Sequence, residues 1–143
     1  MDQERTAELV LEAIAHAVDG NAAEAATTLT TIGQNADNNL MYGVCCAIAS
    51  AGTHALSLIY GDQAPVPGTS DMYVLQELEP GALEDDPPKA FAARFLTARA
   101  NGDEATCMAL YGAALSSDGD QYVESMCALL ANVAGIYRLA LDR

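Results

Sequence analysis

Apolar positions recur along the chain at intervals of three and four residues, the period of a helix laid against a core. In the first segment Leu11, Ile14 and Val18 share this spacing, while Glu4, Glu8, Glu12 and Asp19 take the other face. Gly20 predicts the end of that helix. Asn21, with Glu24 three residues later, predicts a capping box opening a second helix through Ala25, Leu29 and Ile32. That helix fades at Gly33-Gln34-Asn35. A third, longer helix begins near residues 37–39, carries Leu40, Val44, Ile48, Ala51, Ala55 and Leu58, and has Gly61 as its C-terminal cap.

The same plan returns further on. Pro88 suits a first helical turn, and Phe91, Phe95, Leu96 and Ala98 are apolar positions ahead of Asn101-Gly102. Asp103 opens a fifth helix with Cys107, Leu110, Ala114 and Leu115. After a turn at residues 116–120, a sixth helix runs from about Gln121 through Val123, Met126, Leu130, Val133, Tyr137 and Leu141.

All five prolines fall between Pro65 and Pro88. Proline interrupts helix and strand alike, so the chain divides into block one (6–61), a connector (62–87) and block two (88–143). Within the connector, Ser70-Asp71 predicts the cap of a short helix over 72–79, with a strand through Tyr73-Val74-Leu75 as the alternative. Sliding the chain by 82 residues superposes turns better than it superposes residues, which makes two pseudo-symmetric three-helix blocks an expectation about architecture. Gly20 with Glu24-Ala25 resembles the inter-helix turn of a tetratricopeptide unit, but no 34-residue period persists, so that class is not assigned.

Composition supports the helical reading. The chain has 143 residues, 28 of them alanine, with no Trp and 2 Phe. Alanine favours helices over strands, and a core poor in aromatics suits closely packed helices. The expected fold is an all-α, single-domain bundle of about six main helices.

Charge then narrows the function. The 20 acidic residues against 6 basic ones give −14. That balance speaks against direct nucleic-acid binding and against a polybasic membrane contact. The imbalance is uneven: 14 acids and Arg5 alone lie in residues 1–86, while residues 87–143 hold 6 acids and 5 basic groups. Lys89, Arg94 and Arg99 are thus available to pair with the acidic half. No leader pattern opens the sequence, and residues 44–60 read as too short and too polar for a bilayer span. Cys45, Cys46, Cys107 and Cys127 show no metal spacing and read as reduced, buried thiols, which suggests a cytoplasmic protein.

Three features offer chemistry. Glu12, His16 and Asp19 share one helix face at metal-ligand types and spacing, the weak metal candidates of a chain otherwise expected to hold no cofactor. His54 is expected as a neutral histidine at a helix interface. Gly43, Ala47, Ala51 and Ala55 on the third helix, and Cys127, Ala131 and Gly135 on the sixth, form small-residue ridges for packing the two helices together or for a homodimer seam. Asp71, Glu77, Glu79, Glu84, Asp85 and Asp86 form an acidic patch for a basic partner.

No nucleotide, hydrolase or zincin motif is present. The leading expectation is a non-enzymatic interaction module, an adaptor or regulator, binding a basic protein surface or a second copy. The alternatives are an acidic nucleic-acid mimic that inhibits a DNA-binding partner, and a small-molecule or metal-binding bundle with enzymatic activity.

Overall fold

In the computed structural model, which describes residues 2–65, 72–75 and 79–142, six α-helices carry the chain. They are α1 (Gln3–Val18), α2 (Ala22–Asn35), α3 (Asn38–Tyr60), α4 (Pro87–Ala100), α5 (Glu104–Ser116) and α6 (Gly119–Leu141). A 3-10 turn, Gly61–Gln63, follows α3, and the described residues include no strand. The all-α bundle read from the sequence is the fold observed.

Five of the six helices open on aspartate. Asp2, Asp37, Asp86, Asp103 and Asp118 each accept the backbone N–H three residues on, satisfying a donor the helix leaves unpaired. α2 is the exception. Its expected capping box does not form, because Asn21 makes no side-chain cap bond and the Glu24 carboxylate turns to His16 instead.

The turns after α1 and α4 close in the same way. Gly20 donates to Ala17 and Asn21 to His16; 82 residues later, Gly102 donates to Arg99 and Asp103 to Ala98. Both glycines have positive φ, 84° and 72°, the conformation this helix-ending motif needs.

α6 packs against α1, α3, α4 and α5, and α3 also touches α1 and α4, so both blocks share one core. The Cys45 thiol donates to Met126 Sδ at 3.2 Å, and Gly52 abuts Val133. Both pairs are 81 residues apart, so α3 and α6 run parallel and in register. Gly52 permits this approach: a Cβ there would lie 2.8 Å from Leu96 Cδ1 and 2.9 Å from Val133 Cγ2.

Several sequence expectations need correction. In α1 the inward line is Thr6, Leu9, Val10, Ala13, Ile14 and Ala17, and Leu11 is 69% exposed. The small residues of that line let α2 and α6 come close, so it wins over the bulkier stripe through Leu11. Leu58, Val123, Leu115 and Leu141 are also exposed. In the connector, residues 72–75 form neither the short helix nor the alternative strand, and residues 66–71 and 76–78 lie outside the described residues. By length and mean hydropathy (1.4 and 1.2), residues 38–63 and α6 do reach what a membrane span requires, although both helices contribute to the shared core.

Candidate functional site

The histidine-carboxylate group is a clasp between helices. His16 Nδ1 lies 3.1 Å from Glu24 Oε2 on α2, and Nε2 lies 3.8 Å from Glu12 Oε1 one turn back on α1. The two carboxylates therefore meet opposite edges of the imidazole. A single cation cannot face both ring nitrogens, and among the described residues no cluster of three such ligands suits a metal. Asp19 caps α1 through its backbone and is replaced in the group by Glu24, which the sequence reading had assigned to capping. His54 is exposed rather than buried at an interface, and its carbonyl accepts from the Ser57 hydroxyl.

α3 and α6 pack on each other, but the ridges take only a small part in it. Gly43 and Ala47 are exposed, Ala51 is half-buried against the shared core and Ala55 is buried. A Cβ on Gly43 or Gly135 would meet nothing within 4 Å. The close approach falls on Gly52, one position round from Ala51. The two ridges instead line grooves. Gly43 and Ala47 lie with Thr6 and Val10 along a groove of about 210 Å³ between α1 and α3. Cys127 and Ala131 line one of about 400 Å³ against α1 and α2, and another of about 610 Å³ against the start of α4.

These grooves are lined mainly by apolar and small side chains. None of these three grooves brings an imidazole together with a carboxylate.

Of the thiols, Cys45 and Cys107 are buried, while Cys46 and Cys127 are half-exposed, so the expectation of four buried cysteines holds for two. Burial pushes the Cys107 thiol up to about 11, and Cys45 further still. Neither is poised as a nucleophile, which needs a depressed value. Around them stands an aromatic cluster that periodicity alone did not reveal. Tyr42 meets Tyr111 edge-on at 5.5 Å, and the Tyr111 and Tyr122 hydroxyls share a hydrogen bond at 2.8 Å. The Tyr42 hydroxyl is buried, with the Cys46 thiol as a weak polar neighbour.

The residues of the acidic patch differ in their surroundings. Asp86 is the N-cap of α4, its Oδ1 accepting from Lys89 N–H, so its carboxylate already has a structural task. Glu79, Glu84 and Asp85 are exposed and form no ion pair among the described residues. Asp71 and Glu77 lie outside the described residues. Lys89, Arg94 and Arg99 do not neutralise the acidic half, since no described carboxylate lies within ion-pair distance of them. Arg99 turns to the Ser50 hydroxyl instead.

Besides burying Leu83, the connector is fastened at Tyr73, a contact that periodicity does not reveal. Tyr73 N–H donates to Asn101 Oδ1 at 2.7 Å, and Asn101 Nδ2 donates to Tyr73 C=O at 2.8 Å. The Tyr73 ring lies 6.1 Å from that of Tyr60 at the end of α3. Only the Asn-Gly turn signal pointed to Asn101, and it gave no hint of this second role.

Comparison with protein-family models, with curated proteins and with solved structures finds no match to this chain.

Proposed function

We propose that this protein is a non-enzymatic helical interaction module whose acidic half docks a protein with a basic surface. The observation that carries the reading is the set of exposed carboxylates Glu79, Glu84 and Asp85, which no ion pair occupies and which no described part of the fold uses. Such charges raise association rates and select against acidic partners, while adding little to the stability of the chain itself. The cytoplasm, with its reduced thiols, is the proposed setting.

The test is affinity capture from the native cell at two salt concentrations. A basic partner retained at about 0.05 M salt and released at about 0.3 M supports the reading. The triple variant Glu79→Gln/Glu84→Gln/Asp85→Asn should bind that partner about tenfold more weakly, as the loss of rim charges predicts. Retention that ignores both salt and the triple variant overturns it.

A further inference from the structure

We infer that residues 72–75, Met-Tyr-Val-Leu, are the segment through which this module seats itself in an apolar groove edged by lysine and arginine on its partner. The inference rests on the interaction-module reading and adds the contact that gives it shape.

Three observations converge on this segment. The first is its anchor. Asn101, the C-cap of α4, is fixed by its own backbone N–H to Thr97 and Arg99. Its side-chain amide then takes both the N–H and the C=O of Tyr73, as a neighbouring strand would. With the Tyr73 ring set against Tyr60, the segment is held at its second residue by backbone and side chain together.

The second observation is what the anchor leaves outside. Met72 and Val74, on either side of the held residue, are 60% and 79% exposed, and Leu75 is exposed as well. An untethered segment would fold such side chains onto the nearest apolar surface. Here the anchor fixes the Tyr73 backbone between them, so less of the segment has to be ordered on binding.

The third is charge. Residues 62–86 carry seven acids and no basic group. In sequence, Asp71 precedes Met72 directly, and Glu77 and Glu79 follow within four residues of Leu75, although Asp71 and Glu77 lie outside the described residues. Acids thus bracket residues 72–75 in sequence with no basic group among them, so the surface that accepts Met72 and Val74 is best matched by a cationic rim. A second copy of this chain, at −14, meets them with repulsion. So do an anionic bilayer and a nucleic acid.

The experiment places the photo-cross-linking residue benzoylphenylalanine at position 74 of the full chain in its native cell, with position 115 on α5, another exposed apolar residue, as the control. The expected result is a protein adduct from position 74 and none from position 115, with the cross-linked peptide lying among lysine and arginine residues. The purified partner should then bind Met72→Ser/Val74→Ser about tenfold more weakly than the wild-type chain, as loss of two apolar anchors predicts. Asn101→Ala should weaken binding several-fold with both anchors still present, which separates presentation from contact.

Equal adducts at positions 74 and 115, an adduct with a lipid, or one of twice the chain's mass overturns the inference. A partner that is released by salt yet binds the Met72→Ser/Val74→Ser variant at full strength also overturns it, and leaves the proposed function standing. No adduct at position 74 together with no salt-sensitive partner removes both.

Discussion

Gly52 on α3 sits against Val133 on α6 so closely that a single added methyl would lie 2.9 Å from Val133 Cγ2. Leu96 Cδ1, the other near atom at 2.8 Å, is the end of a flexible side chain and can swing aside. Val133 cannot: it is fully buried, and a β-branched residue in a helix keeps one rotamer. Gly52→Ala gains about 1 kcal/mol of helix propensity but meets an overpacking cost of about 1–3 kcal/mol. The expected net is destabilisation by about 1 kcal/mol, a fall in Tm of about 2–4 °C. Val133→Ala in the same chain should give back about 1 kcal/mol of that clash, read as the coupling term of a double-mutant cycle in urea. Additive effects would show that the two helices are free to separate.

Arg138 ties the ends of α1 and α6 together. Its Nη2 donates to the Ala17 carbonyl at 2.7 Å and its Nε to that of Val18 at 3.1 Å. These carbonyls close α1, where a cation is favoured by the helix dipole as well as by the hydrogen bonds. Arg138→Met, which keeps the apolar stem, should cost about 1–2 kcal/mol. Arg138→Lys should recover only part of it, because an ammonium does not span two carbonyls as a planar fork does. Amide hydrogen exchange at the end of α1 is the local check, with faster exchange expected in both variants.

How far this arrangement was legible in the sequence differs from element to element. The six helices and the turns at Gly20, Gly61 and Gly102 follow from local chemistry, period and glycine position, and local chemistry is written in order along the chain. Gly52 carries no signal of its own in the sequence, although the small-residue ridge runs through Ala51 beside it. Helical spacing defines several equivalent stripes, and which one faces a neighbour depends on the register between α3 and α6, set by contacts 81 residues apart. The exposure of Leu11 has the same cause. The spacing of Asn21 and Glu24 predicts a cap because Glu24's partner, His16, is near only once α2 has folded back on α1. The candidate surface was half legible: the acidic run could be read directly, but the Asn101–Tyr73 anchor joins positions 28 residues apart.

The tyrosine cluster offers a pair of opposite outcomes. The Tyr42 hydroxyl is buried with the Cys46 thiol beside it, a weak partner, while the Tyr111 and Tyr122 hydroxyls satisfy each other at 2.8 Å. Removing a buried polar atom that is poorly paired relieves a desolvation penalty; removing one of a well-bonded pair creates one. Tyr42→Phe should therefore stabilise the fold by about 1 kcal/mol, and Tyr111→Phe should destabilise it by about 1 kcal/mol. Urea unfolding of the two variants beside the wild-type chain decides the matter, and a loss of stability in Tyr42→Phe would show that the Cys46 thiol is a full partner.

Stability should fall at both ends of the pH range, for different groups. At the acid end, the Thr106 hydroxyl at 2.6 Å and the Thr106 backbone N–H at 3.2 Å hold the Asp103 carboxyl below its ordinary value of 3.8. The unfolded chain takes up that proton first, so the contribution of Asp103 is complete above the ordinary value and is lost as pH falls through the depressed one. Asp103→Asn keeps an acceptor oxygen at the cap and should flatten this part of the profile. At the alkaline end, burial raises the Cys45 thiol and the Tyr111 phenol far above their ordinary 9.0 and 10.0, with Tyr111 pushed further by its bond to Tyr122. The unfolded chain now loses its protons first. Each group's contribution is complete below its ordinary value and declines above it, by about 1.4 kcal/mol per pH unit per group. Cys45→Ala and Tyr111→Phe should each lower that slope by one proton's worth. Urea midpoints measured from neutral pH to about pH 11 would show it, and an unchanged slope in both variants would mean that neither group remains protonated in the folded chain.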